Sequence, residues 1–391
     1  MKRGIETLCL GLAKATPRNP KDFRDQVLEI ASQFLRGLRP ARRDFARLRQ
    51  GLRVLVVFLS PVCFGADPNL AGKSPLDELP SYIKQVTYFG ERADWSLDGK
   101  KILFLSKTFG DAMEIELATG KIRMLTSHFY HAGFVRAMYL ANGDILLSGA
   151  RTFDPQSPQK SRTGKNAELW VLKKDLSGPP TPLGEHCSEG PAVSRTRMTI
   201  AWTLMDEGQI FMGDIIYDNN GVPKLVNKKL ILDANGPPLR RNVETQNFRP
   251  PDEKELTFSA YSYKRSEVMG LDIATGKYVD YSNAPQSYEE PEGIFPDGKY
   301  TLVECDRHNP KGNQYIDIYK LALDGSGKME RLTYFSDYGY KGSNPVVSDD
   351  GKYIAFQYAK RGDLAGVGRG ILVFDIAGYE AEQKQKLKSK Q

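Results

Sequence analysis

The strongest constraint on what this chain can fold into is a hairpin that it writes three times. In Ala93-Asp94-Trp95-Ser96-Leu97-Asp98-Gly99-Lys100-Lys101-Ile102-Leu103-Phe104, two apolar runs flank Asp98-Gly99, a dipeptide that readily adopts the backbone angles of a tight turn. Ile294-Phe295-Pro296-Asp297-Gly298-Lys299-Tyr300-Thr301-Leu302-Val303 repeats the arrangement, as does Val346-Val347-Ser348-Asp349-Asp350-Gly351-Lys352-Tyr353-Ile354-Ala355-Phe356. Weaker copies turn at Asn142-Gly143, near Arg195-Thr196 and at Pro251-Asp252-Glu253. The six turns are spaced by 44, 53, 57, 45 and 53 residues, the length of a propeller blade with variable loops.

Each unit holds the content of one four-stranded blade. In the first, Asp94-Trp95, Lys101 to Ser106, Ala112 to Leu117 and Lys121 to Thr126 are strands, with a second turn at Thr119-Gly120. The sixth unit shows only three strands before the charged end of the chain. Tyr82-Ile83-Lys84-Gln85-Val86-Thr87 resembles the closing strands of other units and is expected to complete that blade, which closes the ring and removes its open edges. The expected fold is therefore all-β: a six-bladed β-propeller of four-stranded antiparallel blades.

The net charge of +7 belongs to the leader. Residues 1–53 carry 13 Lys/Arg against 5 Asp/Glu, which leaves 42 basic and 43 acidic residues in the remainder. A neutral body offers no basic footprint for nucleic acid. Val54 to Phe64 is apolar and follows Arg49 and Arg53; it is too short to span a bilayer but fits the core of a secretory signal. Residues 1–66 are read as a basic leader plus signal peptide, with translation expected to begin near Leu48 to Val54. Residues 67–379 form the propeller and 380–391 a frayed, charged tail. The expected setting is periplasmic or secreted, and the expected state monomeric with no transmembrane segment. Cys187 and Cys305 fall in units that are not neighbours, so both thiols are expected to be free.

The pattern strand, Ser-x-Asp-Gly-Lys, strand, Thr-Gly, Leu-Thr resembles the repeats of the TolB family of six-bladed propellers. It is carried by Trp95 to Lys100 with Arg123 to Thr126, by Phe295 to Lys299 with Arg331 to Thr333, and by Ser348 to Lys352. The resemblance implies an extracytoplasmic scaffold that binds a protein or glycan. Similar rings also occur in oligogalacturonate lyase, which raises an alternative, a metal-dependent lyase on acidic polysaccharide. No Gly-x-Ser-x-Gly nucleophile turn is present, and no catalytic residue is assigned.

Tracing one blade puts the Asp-Gly and Thr-Gly turns on one end of the ring, here the turn face. The remaining connections lie on the opposite, loop face. His128, His131, His186 and His308 all map to the loop face, and imidazoles beside carboxylates suit a divalent metal (Mn, Ca or Zn). Glu189, Arg241, Glu292, Tyr338 and Tyr340 are expected to contact a ligand on the same face. Trp95, Trp170 and Trp202 lie within predicted strands and are expected to pack between blades.

Overall fold

The computed structural model describes Leu70 and residues 72–389, except 162–165, 189, 205, 207, 262–264 and 365–366. Residues 1–66, read from the sequence as leader and signal peptide, and Glu189 lie outside the described residues. After a first short strand, β1 (Ile83–Gln85), the chain builds six sheets in sequence. Blade one is β2 (Glu91–Trp95), β3 (Lys101–Leu105), β4 (Ala112–Glu116) and β5 (Ile122–Met124). Blade two is β6 (Arg136–Tyr139), β7 (Ile145–Ala150), β8 (Ala167–Leu172) and β9 (Thr181–His186). Blade three is β10 (Ala192–Val193), β11 (Thr199–Leu204), β12 (Gln209–Tyr217) and β13 (Pro223–Asp233). Blade four is β14 (Val243–Phe248), β15 (Glu255–Ala260), β16 (Glu267–Asp272) and β17 (Tyr278–Asp280). Blade five is β18 (Glu289–Ile294), β19 (Tyr300–Cys305), β20 (Asp317–Ala322) and β21 (Met329–Arg331). Blade six is β22 (Tyr340–Val347), β23 (Tyr353–Lys360) and β24 (Ile371–Asp375), completed by β1.

That completion is the expected closure. β1 pairs antiparallel with β24 in the register Ile83 to Phe374 and Gln85 to Leu372. Tyr82 and Ile83 are buried with Phe374 and Phe356 in the cluster between blades five and six. Every other pair of adjacent blades holds a comparable cluster, so the core is six wedges around an axis. In the wedge between blades six and one, Trp95 is 1% exposed and its indole N–H donates to the Val346 carbonyl at 3.2 Å. Trp202 is fully buried, and Trp170 is half-buried with its N–H on the Gly149 carbonyl. Large rings of this kind carry much of the apolar area that the wedges bury.

The Ser-x-Asp-Gly-Lys motif is explained by its turn. The Asp98 carboxylate accepts from the Ser96 hydroxyl at 2.7 Å and from the Lys100 N–H, while Ser96 Oγ accepts from the Lys101 N–H. Gly99 sits at a φ of 67°, where a side chain would be strained. Ser348, Asp350 and Lys352 repeat the same bonds around Gly351. Blade four replaces the glycine by Glu253, held at a φ of 51° because its carboxylate accepts from Ser194, Thr196 and Arg197 of blade three.

The end of the chain departs from the expected frayed tail. Ile376–Lys388 form a helix, α1, capped by the Asp375 side chain, which accepts from the Ala377 and Gly378 N–H groups. Lys386 and Lys388 in its last turn complement the helix dipole. Tyr379 fastens its first turn, packing edge-on against Tyr82 and donating to Glu330 at 2.7 Å. Cys187 and Cys305 are both free and buried, as expected.

Candidate functional site

The six innermost strands line the axis, and four of them are irregular at mid-height. β2, β14, β18 and β22 each carry a register shift against their neighbour. Such bulges rotate side chains out of the regular alternation and point polar groups at the axis. Arg92 and Asn344 sit at these shifts with φ of 55° and 46°. The result is a buried charged layer across the middle of the channel, made from every side of the ring except blade three.

Glu290, Glu292 and Glu304 form the acidic part of the layer, with one carboxylate oxygen from each within 4.8 Å of the others. Asn344 ties two of them together: its backbone N–H donates to Glu304 and its side-chain amide to Glu292, each at 2.7 Å. Tyr288 donates to Glu290, and the Tyr261 hydroxyl lies between Glu290 and Glu244. Burial pushes the Glu304 carboxyl up to about 8, helped by the negative charge of Glu290. Burial also holds Glu292 well above the usual carboxylate range, with Arg136 opposing and Glu304 and Glu290 reinforcing the shift. Near neutrality burial therefore favours the protonated forms of Glu304 and Glu292.

Arg136, on β6, faces this cluster from the other side. Its Nη2 is 3.8 Å from Glu292 Oε2, beyond hydrogen-bond reach. Its guanidinium makes no hydrogen bond among the described residues, and its Nε is buried without a partner. Gly190 makes room for it, since a Cβ there would approach Arg136 Nε to 3.3 Å.

Between this layer and the turn face lies a cavity of about 490 Å³. Its floor includes Arg92, Arg136, Gln246 and Glu292, and its mouth includes the turn residues Leu97, Thr196, Pro296 and Asp349. Arg195 spans part of that mouth. From blade three it reaches blade six, where it donates to both oxygens of Asp349 at 2.9 and 2.8 Å, and blade one, where it donates to the Trp95 carbonyl at 2.8 Å. Asp94 lies 3.4 Å from the same guanidinium; burial raises its carboxyl although Arg195 opposes this. A guanidinium paired with both carboxylates holds its charge within the turn cluster.

The residues singled out from the sequence are spread around the ring. Glu292 lines the cavity floor, within a strand rather than on a loop. Arg241 is exposed in the segment before β14, and Tyr338 is half-buried in the short 3₁₀ turn Phe335–Tyr338. Tyr340 begins β22 and packs beside Tyr358, with ring centroids 6.3 Å apart. The four histidines stay at the loop end but do not gather into a metal-binding cluster among the described residues. His128 is exposed near the Gly178 carbonyl. His131 stacks on Phe134, with Asp111 at 3.1 Å. His186 ends β9 with its Nδ1 buried. His308 is held between the Tyr319 and Ser336 hydroxyls at 2.9 and 2.7 Å. Burial, with Arg331 nearby, pushes it down to about 4, so it is a neutral structural imidazole. Sequence reading missed Arg136, Gln246 and Glu304. Glu304 follows an apolar run in its strand, which is a local signal, whereas Gln246 lies in a polar strand and Arg136 begins its own, so neither stands out.

No family model matches the sequence, and no curated protein matches it either. Among solved structures, the chain is similar to TolB from Acinetobacter baumannii at 17% identity and a TM-score of 0.38, covering 74% of this chain and 67% of that one. It is similar to oligogalacturonate lyase from Vibrio parahaemolyticus at 13% identity and 0.42, covering 75% and 80%. It is similar to a gluconolactonase from Xanthomonas campestris at 9% identity and 0.47, covering 75% and 88%. The chemistry of the site rests on the geometry above, not on these likenesses.

Proposed function

We propose that this chain is an extracytoplasmic binding propeller, periplasmic or secreted and monomeric, that takes a polar group of a glycan or protein partner into the turn-face cavity. The observation that carries this reading is the cavity itself. At about 490 Å³ it falls within the range of ligand pockets, roughly 300–1,000 Å³, and polar floor residues are combined with apolar walls from Ala137, Met138, Val193 and Val346. The loop-face side chains first favoured by sequence supply no comparable convergence. His308 and His131 already have partners, and Tyr340 serves packing. The apolar run Val54 to Phe64 behind a basic leader supports export.

The test is an array of neutral and acidic oligosaccharides and short peptides, screened with wild type and with Leu97→Trp. Leu97 is exposed at the mouth, so the larger ring narrows it without entering the core. Binding by wild type that is lost in Leu97→Trp and kept in His131→Ala supports the reading. Binding that survives Leu97→Trp and disappears with His131→Ala returns the site to the loop face.

A second reading, favoured by the three clustered carboxyls, is a divalent cation serving a metal-dependent lyase. An all-oxygen set of Glu290, Glu292 and Glu304 suits Ca²⁺ or Mn²⁺ and offers no imidazole or thiolate for Zn²⁺. The fit is partial. Asn344, Tyr261 and Tyr288 already donate into these oxygens, and a cation would have to displace the protons that burial holds on Glu292 and Glu304. Calorimetric titration with Ca²⁺ and Mn²⁺ separates the readings: proton-coupled binding supports the cation, and no heat counts against it.

A further inference from the structure

We propose that the loop face of blades six, one and two docks peripherally on an anionic lipid surface, with the turn-face cavity left open on the opposite end of the ring. Three large apolar side chains stand out by their exposure. Tyr130 is 93% exposed, Tyr88 83% and Leu364 76%, more than any other large apolar residue among those described. Tyr88 lies on the link into blade one, Tyr130 on the link into blade two, and Leu364 between the second and third strands of blade six. All three are therefore on the loop face, and Phe89, Phe153 and Val367 are exposed on the same connections. These connections touch one another. Gly90 bridges to Arg369 of blade six, and Thr108 in the blade-one loop donates to Glu91. The Phe109 N–H donates to the Phe134 carbonyl at 2.8 Å, and its ring lies 5.1 Å from that of Phe153 in blade two. The result is one continuous rim of protruding rings and aliphatic tips rather than scattered single residues.

Charge decides what the rim fits. Lys107, Lys160 and Lys360 are exposed on the same three blade loops and make no ion pair among the described residues. The acids of the rim are already engaged. Asp111 accepts from Thr126 at 2.8 Å and has His131 at 3.1 Å. Asp154 accepts the Gln156 and Ser157 N–H groups, and Asp363 pairs with Arg369 at 2.6 Å. Arg151 is matched by Glu168 at 2.6 Å. Three unmatched lysines thus surround the apolar tips, and their complement is a negative surface. Lysine is depleted in protein–protein interfaces, whereas tyrosine at the headgroup level beside basic residues is the composition of an interfacial lipid contact. A bilayer takes the tips into the headgroup and acyl boundary while its anionic headgroups meet the lysines.

The experiment is hydrogen–deuterium exchange of the full chain, alone and with vesicles of equimolar phosphatidylcholine and phosphatidylglycerol. Its local readout separates this face from lipid contact by the apolar run Val54 to Phe64. The expected result is protection of residues 86–90, 106–111 and 125–134, with the turns carrying Leu97 and Asp349 unchanged and little protection by phosphatidylcholine alone. Tyr130→Ser combined with Leu364→Ser should raise the lipid concentration for half-protection by about 10-fold or more, the scale of two partly buried apolar side chains. Lys107→Gln, Lys160→Gln and Lys360→Gln together should raise it by about 10-fold or more, and added salt should act in the same direction. Tyr278→Ser with Val279→Ser, exposed on β17 of blade four, should leave it unchanged. All these side chains are exposed, so the variants are expected to fold. Absence of loop-face protection on the anionic vesicles overturns the proposal, as does equal protection by phosphatidylcholine alone. So does an unchanged midpoint in the Tyr130 and Leu364 variant, or an equal shift in the blade-four control. Protection of the same segments that grows with protein concentration in the absence of lipid makes them an interface between copies of the chain, and overturns it too.

Discussion

Replacing Glu304 by glutamine should make the protein more stable at alkaline pH and leave it unchanged in acid. Glu304 is 6% exposed, in the acidic layer at mid-channel, and burial lifts its carboxyl from 4.5 to about 8 in the folded state. The folded protein then holds a proton that the unfolded chain has released across that window. Stability falls as pH rises from about 4.5 to about 8 and is level on either side. At about 1.4 kcal/mol per pH unit, the full span amounts to roughly 5 kcal/mol, an upper figure because Glu290 and Glu292 share the field. Glutamine is neutral in both states and can still accept the Asn344 N–H through its carbonyl. Urea unfolding of wild type and Glu304→Gln at about pH 5 and about pH 9 reads the difference directly. The expected outcome is near coincidence in acid and a variant more stable by several kcal/mol in base, with a residual slope from Glu292. Parallel pH curves for the two proteins, or a wild type that gains stability toward alkaline pH, would refute the reasoning.

Three further outcomes follow from the same geometry. A chain beginning at Phe89 lacks β1, Tyr82 and Ile83, exposes the edge of β24, and should melt below one beginning at Ala66; equal melting temperatures would count against closure through β1. His308→Ala leaves the Tyr319 and Ser336 hydroxyls without their shared partner, so it should destabilise by about 1–3 kcal/mol with ligand affinity unchanged, and a loss of affinity at full stability would give His308 a binding role. Cys187 and Cys305 are both buried, so a thiol reagent should label them only on denaturation; rapid labelling of the native protein would contradict their placement.

The ring was legible because its parts are local. Ser96, Asp98 and Gly99 make their turn from their own hydrogen bonds, so each copy can be read without knowing its neighbours. Closure by β1 was legible for a similar reason, since a three-stranded last unit leaves an edge that another strand must fill. The charged layer was not. Arg136, Glu292, Glu304 and Asn344 come from three blades and meet only when the ring closes, and bulges that no motif announces turn several of them inward. Glu292 was singled out as a loop residue, although it lies in β18. The histidines drew attention by sharing one end of the ring, but sharing an end does not bring side chains within bonding distance. The C-terminal helix was hidden because its sequence is mostly polar after Tyr379 and carries no apolar stripe, and what anchors it is Asp375 and Tyr379.

The binding function proposed for this protein depends on ligands entering from the turn face. Hydrogen–deuterium exchange with and without the tightest ligand from the array tests it most directly. The prediction is protection in β2, β6, β14 and the turns carrying Leu97, Thr196 and Asp349, with the loop-face segments around His131 and His308 unchanged. Protection confined to those loop-face segments, with the channel strands unaltered, would contradict it.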